Sequence, residues 1–139
     1  MLHRHLDGRV LVKLERGEEV LQALTELCVE HDIGCASLVG IGAVKEAELG
    51  YYDLDTMTYL TRAFPEIREL VSLVGNVALV DGKPFIHAHA SLGDRDLSLV
   101  GGHLVRATVA VTVEAFVNPN SSPVERALDA EVKLKLLEL

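Results

Sequence analysis

Hydrophobic and polar positions alternate along most of this chain. Within residues 9–15, Val10, Val12 and Leu14 fall on one side and Leu11 and Lys13 on the other, which is the period of a strand. Arg16-Gly17 breaks that run. The period then changes: across residues 18–31, Val20, Leu21, Leu24, Leu27 and Cys28 recur at helical spacing. Glu18 and Glu19 suit the positive end of that helix, and His31 sits near its negative end. Gly34 offers a helix stop, since glycine takes a left-handed conformation at little cost.

Beyond the helix the pattern is β again. Residues 35–41 read as a buried strand, interrupted by Gly40-Ile41-Gly42. A Gly-x-Gly behind a strand but with no helix opening after it lacks the setting of a dinucleotide loop. Its glycines are read as a bulge or a close backbone contact. Residues 43–53 and 57–63 are two further strands, and Pro65 ends the pair. Residues 67–80 form a long strand with a bend expected at Gly75. Asp81-Gly82 is a hairpin turn between apolar runs, and residues 83–92 return as the partner. Residues 105–117 are another strand, residues 118–123 a loop, and residues 132–137 alternate as a closing strand. Residues 1–7 are edge or frayed structure. The reading is α+β: one main helix near the N-terminus packed on a large, mostly antiparallel sheet, as one domain over residues 1–139.

Composition sharpens this. Of 139 residues, 49% are hydrophobic, more than a small monomer easily hides, so an oligomer with an apolar interface is expected. The net charge is −8, and Lys45, Arg62, Arg68, Arg95 and Arg106 are scattered. That disfavours nucleic acid or an anionic membrane as the main partner. Cys28 and Cys35, the two cysteines, fit no metal spacing and are read as buried free thiols in a reducing cytoplasm. The N-terminal residues lack a signal-peptide core, and the nearly apolar run 70–80 is too short to span a bilayer. A cytoplasmic location is therefore expected.

Candidate chemistry concentrates in the stretch from Pro84 to His103. His87 and His89 are two apart on a predicted strand, so both point to one face. Two such imidazoles can share a metal ion, and His103 is the natural third ligand, since Gly101-Gly102 before it can bring the backbone close at no steric cost. Three histidines leave one tetrahedral position open, as in catalytic rather than structural zinc sites. The plainer reading is a solvated pair of histidines. Glu69, Asp94 and Asp96 are candidate carboxylates for proton transfer or support, or else surface charges. His3 and His5 repeat the His-x-His pattern but lack rigid neighbours and are read as solvated, and His31 as a helix-end residue. No Ser-His-Asp or Cys-His arrangement stands out.

Several motifs together resemble a known family. They are Glu69-Leu70-Val71-Ser72-Leu73-Val74-Gly75-Asn76, Asp81-Gly82-Lys83-Pro84, His87-Ala88-His89-Ala90-Ser91-Leu92 and Gly101-Gly102-His103-Leu104. With Gly40-Ile41-Gly42-Ala43-Val44 and Leu49-Gly50-Tyr51-Tyr52-Asp53, they look like the PPC (plant and prokaryote conserved) domain, in its stand-alone prokaryotic branch, over about residues 8–117. The resemblance implies an α+β fold, a homotrimer, and a zinc site that maps onto His87, His89 and His103. The implied fold is similar to that of acetolactate decarboxylase and of a zinc-dependent ester hydrolase. A small-molecule ligand or substrate follows from that reading, with Glu69 as the candidate for proton transfer. The alternative is a non-enzymatic regulatory or assembly module that carries a DNA-binding label by homology. The Arg-Gly-Arg-Pro hook of plant members, which binds the minor groove, is absent here.

Overall fold

The computed structural model describes residues 1–139. Its elements run β1 (Leu2–Leu6), β2 (Arg9–Leu14), α1 (Val20–Glu30), β3 (Ala36–Asp53), β4 (Thr58–Phe64), β5 (Arg68–Val80), β6 (Lys83–Gly93), β7 (Leu99–Pro119), β8 (Arg126–Leu128) and β9 (Lys135–Leu137). One helix against a large antiparallel sheet is the α+β architecture expected. The main sheet has the order β1-β2-β7-β6-β5-β3-β4, and an additional β7–β3 pairing closes β3, β5, β6 and β7 into a ring.

Alternation decides which face is buried. On β2, Val10, Val12 and Leu14 point inward, and on β6, Ile86, Ala88, Ala90 and Leu92 do. The helix packs on β6 and β7. It buries Val20, Ala23, Leu24, Leu27 and Cys28, with Leu24 and Leu27 fully enclosed. Each such leucine contributes roughly 1.5–3 kcal/mol by leaving water. Glu19 caps the helix by accepting a hydrogen bond from the Gln22 amide at 2.6 Å. Its other oxygen accepts one from the Ala107 amide at 3.1 Å, which ties the helix start to β7.

Four expectations change. The strand through Gly40-Ile41-Gly42 is continuous, because β3 pairs with β7 along nearly its full length; the glycines mark a register shift within it. A side chain at Gly42 would stand 2.2 Å from the Thr112 carbonyl oxygen, so the close-contact reading of that glycine holds. The irregularity in β5 lies between Leu70 and Ser72 rather than at Gly75. The left-handed residue after the helix is Asp32, at φ 53°, while Gly34 packs tightly against Pro123 and Leu79. Residues 132–137 do not close the main sheet: Lys135–Leu137 pairs only with β8, as a separate two-stranded sheet. The Asp81-Gly82 turn is as predicted, with both residues at positive φ and Val80 paired to Lys83.

Candidate metal centre

His87 and His89 stand on the face of β6 opposite the buried Ile86, Ala88 and Ala90, as strand alternation requires. His103 is the register partner of His89 on β7. Cross-strand partners share a face, so all three imidazoles meet there. Their ring centroids are 5.3 Å (His87–His89), 5.2 Å (His87–His103) and 5.6 Å (His89–His103) apart. One nitrogen from each lies within 4.8 Å of the others.

Gly101 and Gly102, expected to let the backbone come close, lie inside β7. They act by close approach: a Cβ on Gly102 would stand 2.9 Å from the Gly50 carbonyl oxygen on β3. Small residues there let β7 run tightly between β3 and β6, which holds His103 opposite His89.

His87 and His103 are half-buried and His89 is exposed. Burial, then the neighbouring His103, Arg126 and His89, pushes the His87 imidazole down to about 4. Burial, then His89, also lowers His103. Neutral imidazole is the form a metal ion accepts as ligand. His103 Nδ1 is buried with no hydrogen-bond partner, an uncompensated polar group in a cluster of nitrogen donors. This donor set fits a borderline divalent cation such as zinc.

The His87 shift has a consequence for the metal-free protein. The unfolded chain takes up a proton near pH 6.5, the folded one only near pH 4. Stability present above about pH 6.5 is therefore lost as pH falls toward 4. The expected loss is about 2 kcal/mol after discounting for partial exposure. Urea unfolding of the chelated protein at pH 7 and pH 4.5, beside His87→Gln, checks this. Equal losses in both proteins would remove His87 as the cause.

The C-terminal hairpin builds the rest of the site. A cavity of about 300 Å³ is lined by His87 and His103 together with Tyr59, Phe85, Arg126 and Lys133. The Arg126 guanidinium is buried and donates to the Asn76 side-chain oxygen at 2.7 Å and to the Lys135 carbonyl at 3.0 Å. Asn76 is the register partner of His87. The Tyr59 ring lies 4.9 Å from that of His103. The tail is anchored by Tyr52, whose hydroxyl donates to the Val132 carbonyl at 2.6 Å, and by the Leu79 amide, which donates to Val124. Nothing in the sequence marks Arg126 or Tyr59, since a lone arginine and a strand tyrosine carry no pattern.

The structure does not bring Glu69 to the histidines. It pairs with Gly93, four residues along β6 from His89, which is about 13 Å of strand. The strand register, set by the bulge and the hairpin, puts it at the far end of β5. Asp94 instead closes its own turn, accepting from the Asp96 and Ser98 amides. His3 and His5, expected to be solvated, and His31, expected as a helix-end residue, form a second group whose ring nitrogens lie within 4.8 Å of one another.

Residues 5–120 match the family model for the Plants and Prokaryotes Conserved (PCC) domain. Solved structures share the fold along nearly the whole chain. A metal-containing protein from Archaeoglobus fulgidus is 34% identical, with TM-score 0.89, over 100% of this chain and 99% of the other. A plant- and prokaryote-conserved protein from Pyrococcus horikoshii is 33% identical, with TM-score 0.88, over 99% and 95%. A protein from Bacteroides thetaiotaomicron with a provisional DNA-binding label is 26% identical, with TM-score 0.95, over 99% and 96%. No curated protein matches the chain. The three central histidines fall inside the matched span and Arg126 beyond it, and with that span covering most of its length the chain belongs to the Plants and Prokaryotes Conserved (PCC) domain family.

Proposed function

We propose that His87, His89 and His103 hold a zinc ion and that the adjoining cavity binds a small anionic molecule, with a carboxylate as the chemical class. One observation carries this reading. Two of the three mutually close imidazoles, His87 and His103, border a cavity that also holds the buried Arg126, whose partners are two neutral oxygens and whose Nε has none. A buried guanidinium without a carboxylate is costly unless a ligand neutralises it. Lys133 adds a further cation to the lining, while Lys135 is already paired with Asp81 at 2.7 Å. The metal-containing relative supports the first half of the proposal.

When bound, zinc supplies Lewis acidity at the one tetrahedral position that three histidines leave free. Arg126, oriented by Asn76 and by the hairpin backbone, fixes the anionic end of the ligand. Tyr59 and Phe85 line the cavity with apolar surface that limits water. With Glu69 distant, no carboxylate of this chain lines the cavity as a general base.

The assembly we propose is the homotrimer that the family resemblance implies. An exposed apolar surface supports self-association: Val39 is register partner to both Val74 on β5 and Phe116 on β7, and all three face solvent. The charge of −8 weighs against DNA as the partner. No helix of the chain is long and apolar enough to cross a membrane.

Calorimetric titration of the zinc-loaded protein with pyruvate and malonate tests the ligand class. Binding is expected for the acids, absent for their amides, and more than tenfold weaker in Arg126→Gln. Equal binding of acid and amide would overturn it. Sedimentation equilibrium on the same sample is expected at three times the 15.1 kDa chain mass, and a monomer would remove the trimer.

A further inference from the structure

We propose that His3, His5 and His31 form a second zinc site, separate from the first, that fastens the edge strand β1 to the C-terminal end of α1. The starting point is the strand register. His3 pairs with Val12 and His5 with Val10. Val10 and Val12 are buried, so their partners on β1 stand on the face of the sheet that carries the helix. His31 is the C-cap of α1 and reaches the same place from the helix end.

The three rings are held as tightly as those of the first cluster. Their centroids lie 5.8 Å (His3–His5), 4.8 Å (His3–His31) and 4.8 Å (His5–His31) apart, with mutual inclinations of 90°, 81° and 76°. The rings therefore present edges to one another and do not stack. His3 Nε2 and His31 Nε2 are 3.1 Å apart. Two imidazole nitrogens bound to one tetrahedral zinc at its usual bond length stand about 3.3 Å from each other. A neutral His3–His31 pair can share one N–H···N hydrogen bond at this distance, but that accounts for two of the rings and not for the third, and protonated rings would repel.

Two features of the surroundings agree. Every residue of β1 is exposed, so side-chain burial does little to hold this edge strand. The last turn of α1 has no basic residue, and a cation at His31 complements the negative end of the helix. A metal here closes the chain between residues 5 and 31 and restrains an edge that would otherwise fray. The site lies at the surface, which leaves the fourth position to water.

The test uses the untagged full chain. His31→Ala, which leaves the central cluster intact, is expected to keep one zinc per chain where the wild type holds two. His89→Ala is expected to keep the other, and the double variant none. Zinc is also expected to slow hydrogen exchange of the β1 amides in His89→Ala but not in the double variant. His5→Gln, a milder change on the strand itself, should reproduce the loss seen with His31→Ala. Zinc content that is the same with and without His31, or β1 exchange indifferent to zinc in His89→Ala, would overturn the proposal. Failure of the central site reads differently: His31→Ala would then hold no zinc.

Discussion

Replacing His89 by alanine in the His31→Ala background is expected to take bound zinc from one ion per chain to none. The affinity loss should exceed 100-fold, since even partners that merely support a metal ligand are worth 10–100-fold. His89 is the informative choice because its side chain is exposed, whereas His87 and His103 are half-buried. Truncating an exposed side chain shifts stability by roughly 0.5 kcal/mol or less. The metal-free variant should therefore melt like its parent. The parent should gain about 2.7 kcal/mol at a zinc concentration one hundred times its dissociation constant, and the variant nothing. Mass spectrometry for metal and a melting scan with and without zinc read both effects. Unchanged zinc content would sink the central site, whatever the relatives contain.

Gly75→Ala is expected to be the most damaging single methyl group near the site. Gly75 pairs with Ala88, between the two histidines of β6. A Cβ there would stand 2.3 Å from the His87 carbonyl oxygen and 2.9 Å from the Ala88 Cα. Both atoms are backbone, so no side chain can swing aside, and β5 must separate from β6. Overpacking of ordinary cores costs about 1–3 kcal/mol, and a backbone collision should reach or pass the upper figure. The displacement falls on His87, so zinc affinity should drop together with stability. Gly8→Ala is the control: its Cβ would meet nothing within 4 Å, and only its φ of 81° opposes the change. That penalty should be about 1 kcal/mol. Urea midpoints and zinc titrations of the two variants decide the matter, and a Gly75→Ala protein as stable as Gly8→Ala would contradict the argument.

The fold was legible where a local rule governs it. Alternation in β2 and β6, helical spacing in α1 and the Asp81-Gly82 turn each depend on residues close in sequence, and each is found nearly where expected. The central histidines were legible for the same reason. A spacing of two on a strand puts His87 and His89 on one face in any register, and His103 was the natural third candidate behind Gly101-Gly102, a choice the family resemblance then shared. Glu69 was misplaced because its relation to the histidines depends on how β5 slides along β6. The bulge between Leu70 and Ser72, directly beside Glu69, and the distant Asp81-Gly82 hairpin together decide that register.

By itself the sequence determined the element types, the face each strand buries, and the pairing of two imidazoles on one side of β6. These follow from periods of two and 3.6 residues, which the chain carries locally. The tertiary structure decided what meets across long separations. It ran β7 along β3 and so joined two expected strands into one, and it folded the C-terminal hairpin over His87 so that Arg126 reaches Asn76. It also carried His3 and His5 to His31, at the opposite end of a helix. A polar side chain with no periodic neighbours has no local signature. Its role is set by which strand edge it lands beside, and only the closed sheet and its register settle that.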